Sequence, residues 1–120
     1  KKEKKTFVVT RGIDRCAWIY PMSEWNLIQK ELNQLSSLSK TNRIFLRNHL
    51  RHANILKFDS QGRFVLPQSL IDYSSITKDV TIIGVLNKIE IWNPNLLRKI
   101  DQSDEIDDQS YEQLSERVNI

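Results

Sequence analysis

One cysteine in 120 residues, Cys16, excludes an internal disulfide and leaves no thiolate set for a structural zinc, so a reducing cytoplasm is the expected compartment. Three glycines and three prolines are few enough that each is expected to serve a geometric purpose. No apolar run approaches the roughly 20 residues that span a bilayer, so no membrane partner is expected. The charged cluster Lys1–Lys5 is followed by too short an apolar stretch for a secretory signal. Gly-rich phosphate loops, Gly-x-Ser-x-Gly elbows and His/Cys/Asp clusters are all missing, so neither a cofactor nor an enzyme activity is expected. His49 and His52 stand three apart on an expected helix, a spacing that suits a metal, yet they lack a third ligand and read as surface or interface histidines. Asp59 and Glu90 form no recognisable acid/base pair.

What is present describes a soluble globular chain with 39% hydrophobic and 28% charged residues. Its net charge of +3 is unevenly spread. Residues 1–72 hold thirteen Lys/Arg against six Asp/Glu, a net of +7, whereas residues 73–120 hold five against nine, a net of −4. A basic front and an acidic rear suit a polyanion binder, although solubility also selects for charge.

Residues 6–13 and 16–20 read as a β-hairpin across Asp14 and Arg15, with Pro21 stopping the sheet. Ser23 is placed to cap a helix bearing Trp25, Ile28, Leu32 and Leu35 on one face. A polar connection, 36–41, leads to a second helix over 42–53. There Ile44, Phe45 and Leu46 point about 100° apart, which no single core accommodates and which points to burial between subunits. The three tryptophans, Trp18, Trp25 and Trp92, read as core or interface anchors.

A second β unit follows: residues 55–59 turn at Gln61-Gly62 into a strand over 63–66, and Pro67 opens a short helix to Tyr73. Another hairpin, 80–85 and 89–92, crosses Asn87; a helix is expected over 95–100. The acidic stretch 101–108 is expected to be disordered, and 111–118 has helical potential.

Shifted by 72 residues, the two hairpins superpose: Val8 on Val80, Gly12 on Gly84, Ile13 on Val85, Ile19 on Ile91 and Tyr20 on Trp92. The same offset places a counterpart of the 59–63 turn ahead of Lys1, so the first hairpin of repeat one is expected to be missing from the chain.

The turn Asp59-Ser60-Gln61-Gly62-Arg63 sets a carboxylate four residues from a guanidinium, whose planar fork matches phosphate oxygens or the guanine edge. From the residues alone it reads either as a nucleic-acid contact pre-oriented by Asp59 or as an ion pair that fixes the hairpin. Such an exposed pair is worth only ~0–1 kcal/mol, a weak reason to have it. Arg43, Arg47 and Arg51 form one stripe which, with Lys57, fits a phosphate backbone; the alternative is an ordinary solvated face.

Three stretches together resemble the MraZ family: residues 10–21 (Thr-Arg-Gly-Ile-Asp-Arg-Cys-Ala-Trp-Ile-Tyr-Pro) followed by Glu24-Trp25, residues 59–67 (Asp-Ser-Gln-Gly-Arg-Phe-Val-Leu-Pro), and Lys78-Asp79-Val80 through Gly84 to Ile91-Trp92. The resemblance implies an α+β fold, a small double-split β-barrel of two AbrB-like swapped-hairpin repeats with flanking helices. It divides the chain into a remainder of repeat one (1–53), repeat two (54–100) and an acidic tail (101–120). It also implies a ring-shaped homo-oligomer that represses the bacterial division and cell-wall gene cluster by binding promoter direct repeats in double-stranded DNA at the nucleoid. The family's Asp-x-x-x-Arg loop falls on Asp59 and Arg63, so the expected DNA-binding set is Asp59, Gln61, Gly62, Arg63, Lys57, Arg47 and Arg51. The other reading is a protein-interaction module of antitoxin type.

Overall fold

The computed structural model describes residues 6–119. In chain order its elements are β1 (Phe7–Arg11), β2 (Ala17–Pro21), α1 (Met22–Leu32), α2 (Lys40–Arg51), β3 (Asn54–Leu56), α3 (Gln68–Ser74), β4 (Thr81–Val85), β5 (Lys88–Trp92), α4 (Pro94–Ser103) and α5 (Asp108–Arg117). The fold is α+β, as expected. Five strands form one antiparallel sheet in the order β3-β1-β2-β5-β4, in which β2 and β5 pair at the centre through Ala17–Ile91, Trp18–Glu90 and Ile19–Ile89.

The expected double-split β-barrel is not seen among the described residues, whose strands form one open sheet. Strands β3 and β4 lie at opposite edges, and the strand expected over 63–66 does not form. The reason is local: the Asp59 side chain takes the backbone N–H groups of Gln61 and Arg63, leaving one ladder bond, Arg63 O accepting from Asp59 N at 2.8 Å.

Each face of the sheet has its own cluster. Val9, Ala17, Ile19, Leu56 and Ile91 alternate onto one face and meet Leu70 of α3, with Phe64, Leu66 and Ile76 alongside. The opposite face carries Val8 and Tyr20 against Trp25 of α1. Helix α2 is tied to β1 by Thr10 Oγ1, fully buried, which donates to the His49 carbonyl at 2.8 Å. Trp25 and Trp92 are buried as expected, while Trp18 is half-buried and donates from Nε1 to Glu90 at 2.9 Å.

Helix starts depart from expectation for identifiable reasons. Met22 N donates to Thr6 O, extending the sheet to the first turn of α1, so Pro21 rather than Ser23 precedes that helix. Helix α2 begins two residues early because Ser39 accepts from Asn42 N, satisfying one orphan donor. The acidic stretch expected to lack structure is partly helical. Asn93 accepts from Asn95 N and Leu96 N, with Pro94 at the first helical position, and α4 then runs to Ser103. Asp107 caps α5 through Ser110 N.

Candidate nucleic-acid interface

The turn at 59–63 is organised by one carboxylate. Asp59 Oδ1 accepts from Gln61 N at 2.9 Å and from Arg63 N at 2.8 Å, and Oδ2 accepts from Arg63 Nε at 2.8 Å. Gly62, at φ +77°, supplies the left-handed backbone that closes the turn, and its N–H donates to Asp59 O at 3.1 Å. These bonds, the Arg63 backbone and side chain foremost, hold the Asp59 carboxyl below the usual aspartate range, so it is charged at neutral pH.

Arg63 spends one nitrogen, Nε, on this clasp, and no other partner for its guanidinium occurs among the described residues. Both terminal nitrogens keep their donors, and 72% of the side chain is exposed. An edge-to-face aromatic series anchors the turn from below, Phe7 to Phe58 at 5.4 Å and Phe58 to Phe64 at 5.3 Å between ring centroids. The result is a guanidinium fixed in direction on a rigid, protruding tip, with Gln61 and Gly62 beside it, both exposed.

The other expected contacts are not gathered around this tip. Lys57, exposed, follows β3 and leads into the turn. Arg47 and Arg51 are also exposed and sit two residues either side of His49, roughly 200° around the helix from the face that meets the sheet. They belong to the Thr10 end of β1, whereas the turn packs on Phe7 at the other end. Arg43 is occupied, donating to the carbonyls of Ser37 (2.8 Å) and Leu38 (3.1 Å), so it acts as a brace for the α1–α2 connection.

Two comparisons bear on this arrangement. The family model described as "MraZ protein, putative antitoxin-like" matches twice, over residues 2–48 and 49–119. A protein of Clostridium tetani named transcriptional regulator MraZ is 37% identical over 115 residues, covering 96% of this chain and 78% of that relative. The chain belongs to the MraZ family. Relatives of the same name in Natranaerobius thermophilus and Pediococcus pentosaceus are 39% and 45% identical. They cover 93% and 72% of this chain, and 76% and 61% of their own lengths are spanned.

Two features of this MraZ family member have little or no signature in the sequence pattern. Tyr73 of α3 is stacked by the guanidinium of Arg11 at 4.5 Å and that of Arg15 at 5.2 Å. These residues are some sixty positions apart, so no local pattern announces the cluster. His49 is buried, not on the surface, lying against Phe45 (5.6 Å) and Trp25 (6.0 Å). Its i−4 aromatic neighbour is the one local hint of this. Burial and then the Arg11 charge lower its pKa, favouring the neutral ring. Among the described residues no group of three or more His, Cys, Asp or Glu is placed to hold a metal, and no helix is long and apolar enough to cross a membrane.

Proposed function

We propose that this protein is a sequence-specific DNA-binding transcriptional regulator, acting as a repressor, whose Asp59–Arg63 turn reads base edges. The observation that carries this reading is the state of Arg63: Nε clasped by Asp59, terminal nitrogens unspent, side chain protruding. Two parallel N–H donors match O6 and N7 of guanine in the major groove. Fixing the fork in advance reduces the side-chain freedom given up on binding. Gln61 and Gly62 keep the tip narrow enough for close approach, and Lys57, Arg47 and Arg51 supply phosphate contacts that orient the protein without reading sequence.

The relatives are named transcriptional regulators, which supports a regulatory role for this chain. The family resemblance supplies the finer reading, a ring-shaped homo-oligomer at the nucleoid, bound to promoter direct repeats of the division and cell-wall gene cluster. Ile44, Phe45 and Leu50, each more than 40% exposed on α2, are consistent with a subunit interface. Several turns displayed by one ring would add avidity to modest individual contacts.

A gel shift on the DNA upstream of the protein's own operon, with light scattering on the same sample, tests this. A retarded band that competes with itself but not with scrambled duplex is expected, together with a mass several times the 14.2 kDa chain. An antitoxin-type interaction module is the second reading, favoured by the unpaired edge of β4, where Ile82 is 61% exposed. Strand addition by a protein partner would use such an edge. That reading predicts no retarded band.

A further inference from the structure

We propose that the Arg11–Tyr73–Arg15 stack is a second anion site, which takes phosphodiester groups of the same duplex DNA at the end of β1 away from the Asp59 turn. The inference rests on the DNA-binding reading above and extends its footprint to residues outside that set.

The stack is a built arrangement rather than two loose side chains. Tyr73 reaches across from α3, and its hydroxyl donates to the Gly12 carbonyl at 3.0 Å. That bond fixes the ring beneath the 12–16 loop. Arg11 at 4.5 Å and Arg15 at 5.2 Å from the ring centroid are both within cation–π range. Gly12 makes the loop tight enough for this: a Cβ there would stand 2.9 Å from Cys16 Sγ and 3.0 Å from Trp18 Nε1.

The two guanidiniums are not neutralised by a neighbouring ion pair. Among the described residues neither guanidinium has a carboxylate oxygen within 4.0 Å, the Asp59–Arg63 pair being the one ion pair. Asp72, beside Tyr73, accepts from Gln68 Nε2 at 2.8 Å. Asp14 lies in the same loop and offsets part of the charge. More positive charge gathers at this end of β1. Arg11 and Arg51 both depress the pKa of His52, after its desolvation, and Arg11 also acts on His49. Arg11 and Arg15 gather two guanidiniums at one aromatic ring, and their mutual repulsion is relieved by an anion bound over them. The ring holds both guanidinium carbons close, and neither group's N–H donors are spent on a protein acceptor among the described residues, which leaves them for phosphate oxygens.

Spacing fits one duplex. Four residues of strand at ~3.3 Å each put Phe7 and Arg11 ~13 Å apart. The major groove is ~12 Å wide. The two ends of β1 are thus separated by about one groove width, and the stack is proposed to meet a flanking backbone while the turn enters the groove.

The test is fluorescence anisotropy with the full chain and a duplex from the upstream region of its own operon, over a salt series. Wild type is compared with R15Q, R11Q/R15Q, Y73L and Y73F, and with R63A. Removing one phosphate-binding guanidinium should flatten the slope of log K against log salt by ~0.9, so R15Q drops by ~0.9 and R11Q/R15Q by ~1.8. The preference for operator over scrambled duplex should stay within about twofold in these two variants. Y73L should resemble the double variant, and Y73F, which keeps the ring, should stay closer to wild type. An unchanged slope in R15Q and R11Q/R15Q overturns the proposal, as does a lowered melting temperature with no change in slope, which would make the stack a fold clasp. If R63A loses sequence preference while the glutamine variants bind like wild type, this inference falls and the DNA-binding reading stands. If wild type binds no duplex at all, both fall.

Discussion

The two β-hairpins occupy matching places in the sequence repeat but very different surroundings. In the first, Val8, Val9, Thr10, Ala17, Ile19 and Tyr20 are all buried; in the second, Ile91 and Trp92 are buried while Ile82, Leu86 and Ile89 are exposed. Part of the difference is cover. Helices α1 and α2 lie over one face of the first hairpin, and Leu70 with its neighbours lies over the other. The rest is register. Tyr20 pairs with Val8, but its counterpart Trp92 pairs with Thr81, the counterpart of Val9. The loop of five residues after Arg11 and the two-residue turn at Leu86-Asn87 differ by an odd number, so β4 is slipped by one residue relative to β1. A slip of one sends every side chain to the other face. Thr10 therefore faces α2 and is bonded to His49 O, while its counterpart Ile82 lies on the other face, opposite Ile91, and is exposed because nothing among the described residues covers that edge.

Mutations can break this comparison most forcefully in the core. Leu70 is fully buried, so Leu70→Ala should destabilise the fold by about 2–5 kcal/mol. Ile82→Ala should stay within about 1 kcal/mol, since most of that side chain is in solvent. Urea titrations of both variants measure the difference directly. Equal losses would mean that the second hairpin is covered in solution.

The aligned glycines give a finer test. A Cβ on Gly12 meets Cys16 Sγ at 2.9 Å, while one on Gly84 meets nothing within 4 Å. Gly12→Ala should therefore cost about 1–3 kcal/mol through overpacking. Gly84→Ala should be neutral or stabilise by about 0.4–1 kcal/mol, because it restricts the unfolded chain. Thermal melts separate the two, and similar shifts would contradict the difference in packing around the two glycines.

The smallest effect expected is that of pH. Burial, then Arg11, lowers the pKa of His49 below its ordinary 6.5. A base with a depressed folded pKa contributes stability that is present above its unfolded pKa and lost as pH falls through the folded one. Melting temperature should therefore decline below about pH 6.5, with His52, shifted the same way, adding to the slope. His49→Phe with His52→Gln should flatten this decline. A slope between pH 7 and 5 that survives both changes would place its origin elsewhere.

Local chemistry is legible in the sequence, and distant juxtaposition is not. The Asp59–Arg63 clasp spans four residues and closes on a glycine, so its residues announce it. The hairpins follow from alternation and punctuation, and the α3 start from Pro67. The strand expected over 63–66 fails because a side-chain acceptor outcompetes the ladder, a choice that residue type alone does not resolve. Burial of His49 and the stacking of Arg11 and Arg15 on Tyr73 depend on how α2 and α3 dock on β1, and docking has no local signature. The slip between β1 and β4 is hidden too, because an offset of 72 aligns residue types without regard to loop length.

Arg63, held by Asp59, is proposed to read bases while the rest of the basic surface holds phosphates. That division of labour is tested most directly by operator anisotropy for wild type and Arg63→Ala, each against operator and scrambled duplex at fixed salt, with thermal melts as the fold control. Binding of the operator should weaken by about 1–3 kcal/mol for each bidentate base pairing that Arg63 makes. The operator-to-scrambled ratio should collapse towards one, with an unchanged melting temperature, since Arg63 is exposed. Wild-type affinity in Arg63→Ala, with the scrambled duplex still rejected, would contradict this and leave the pair as a structural clasp.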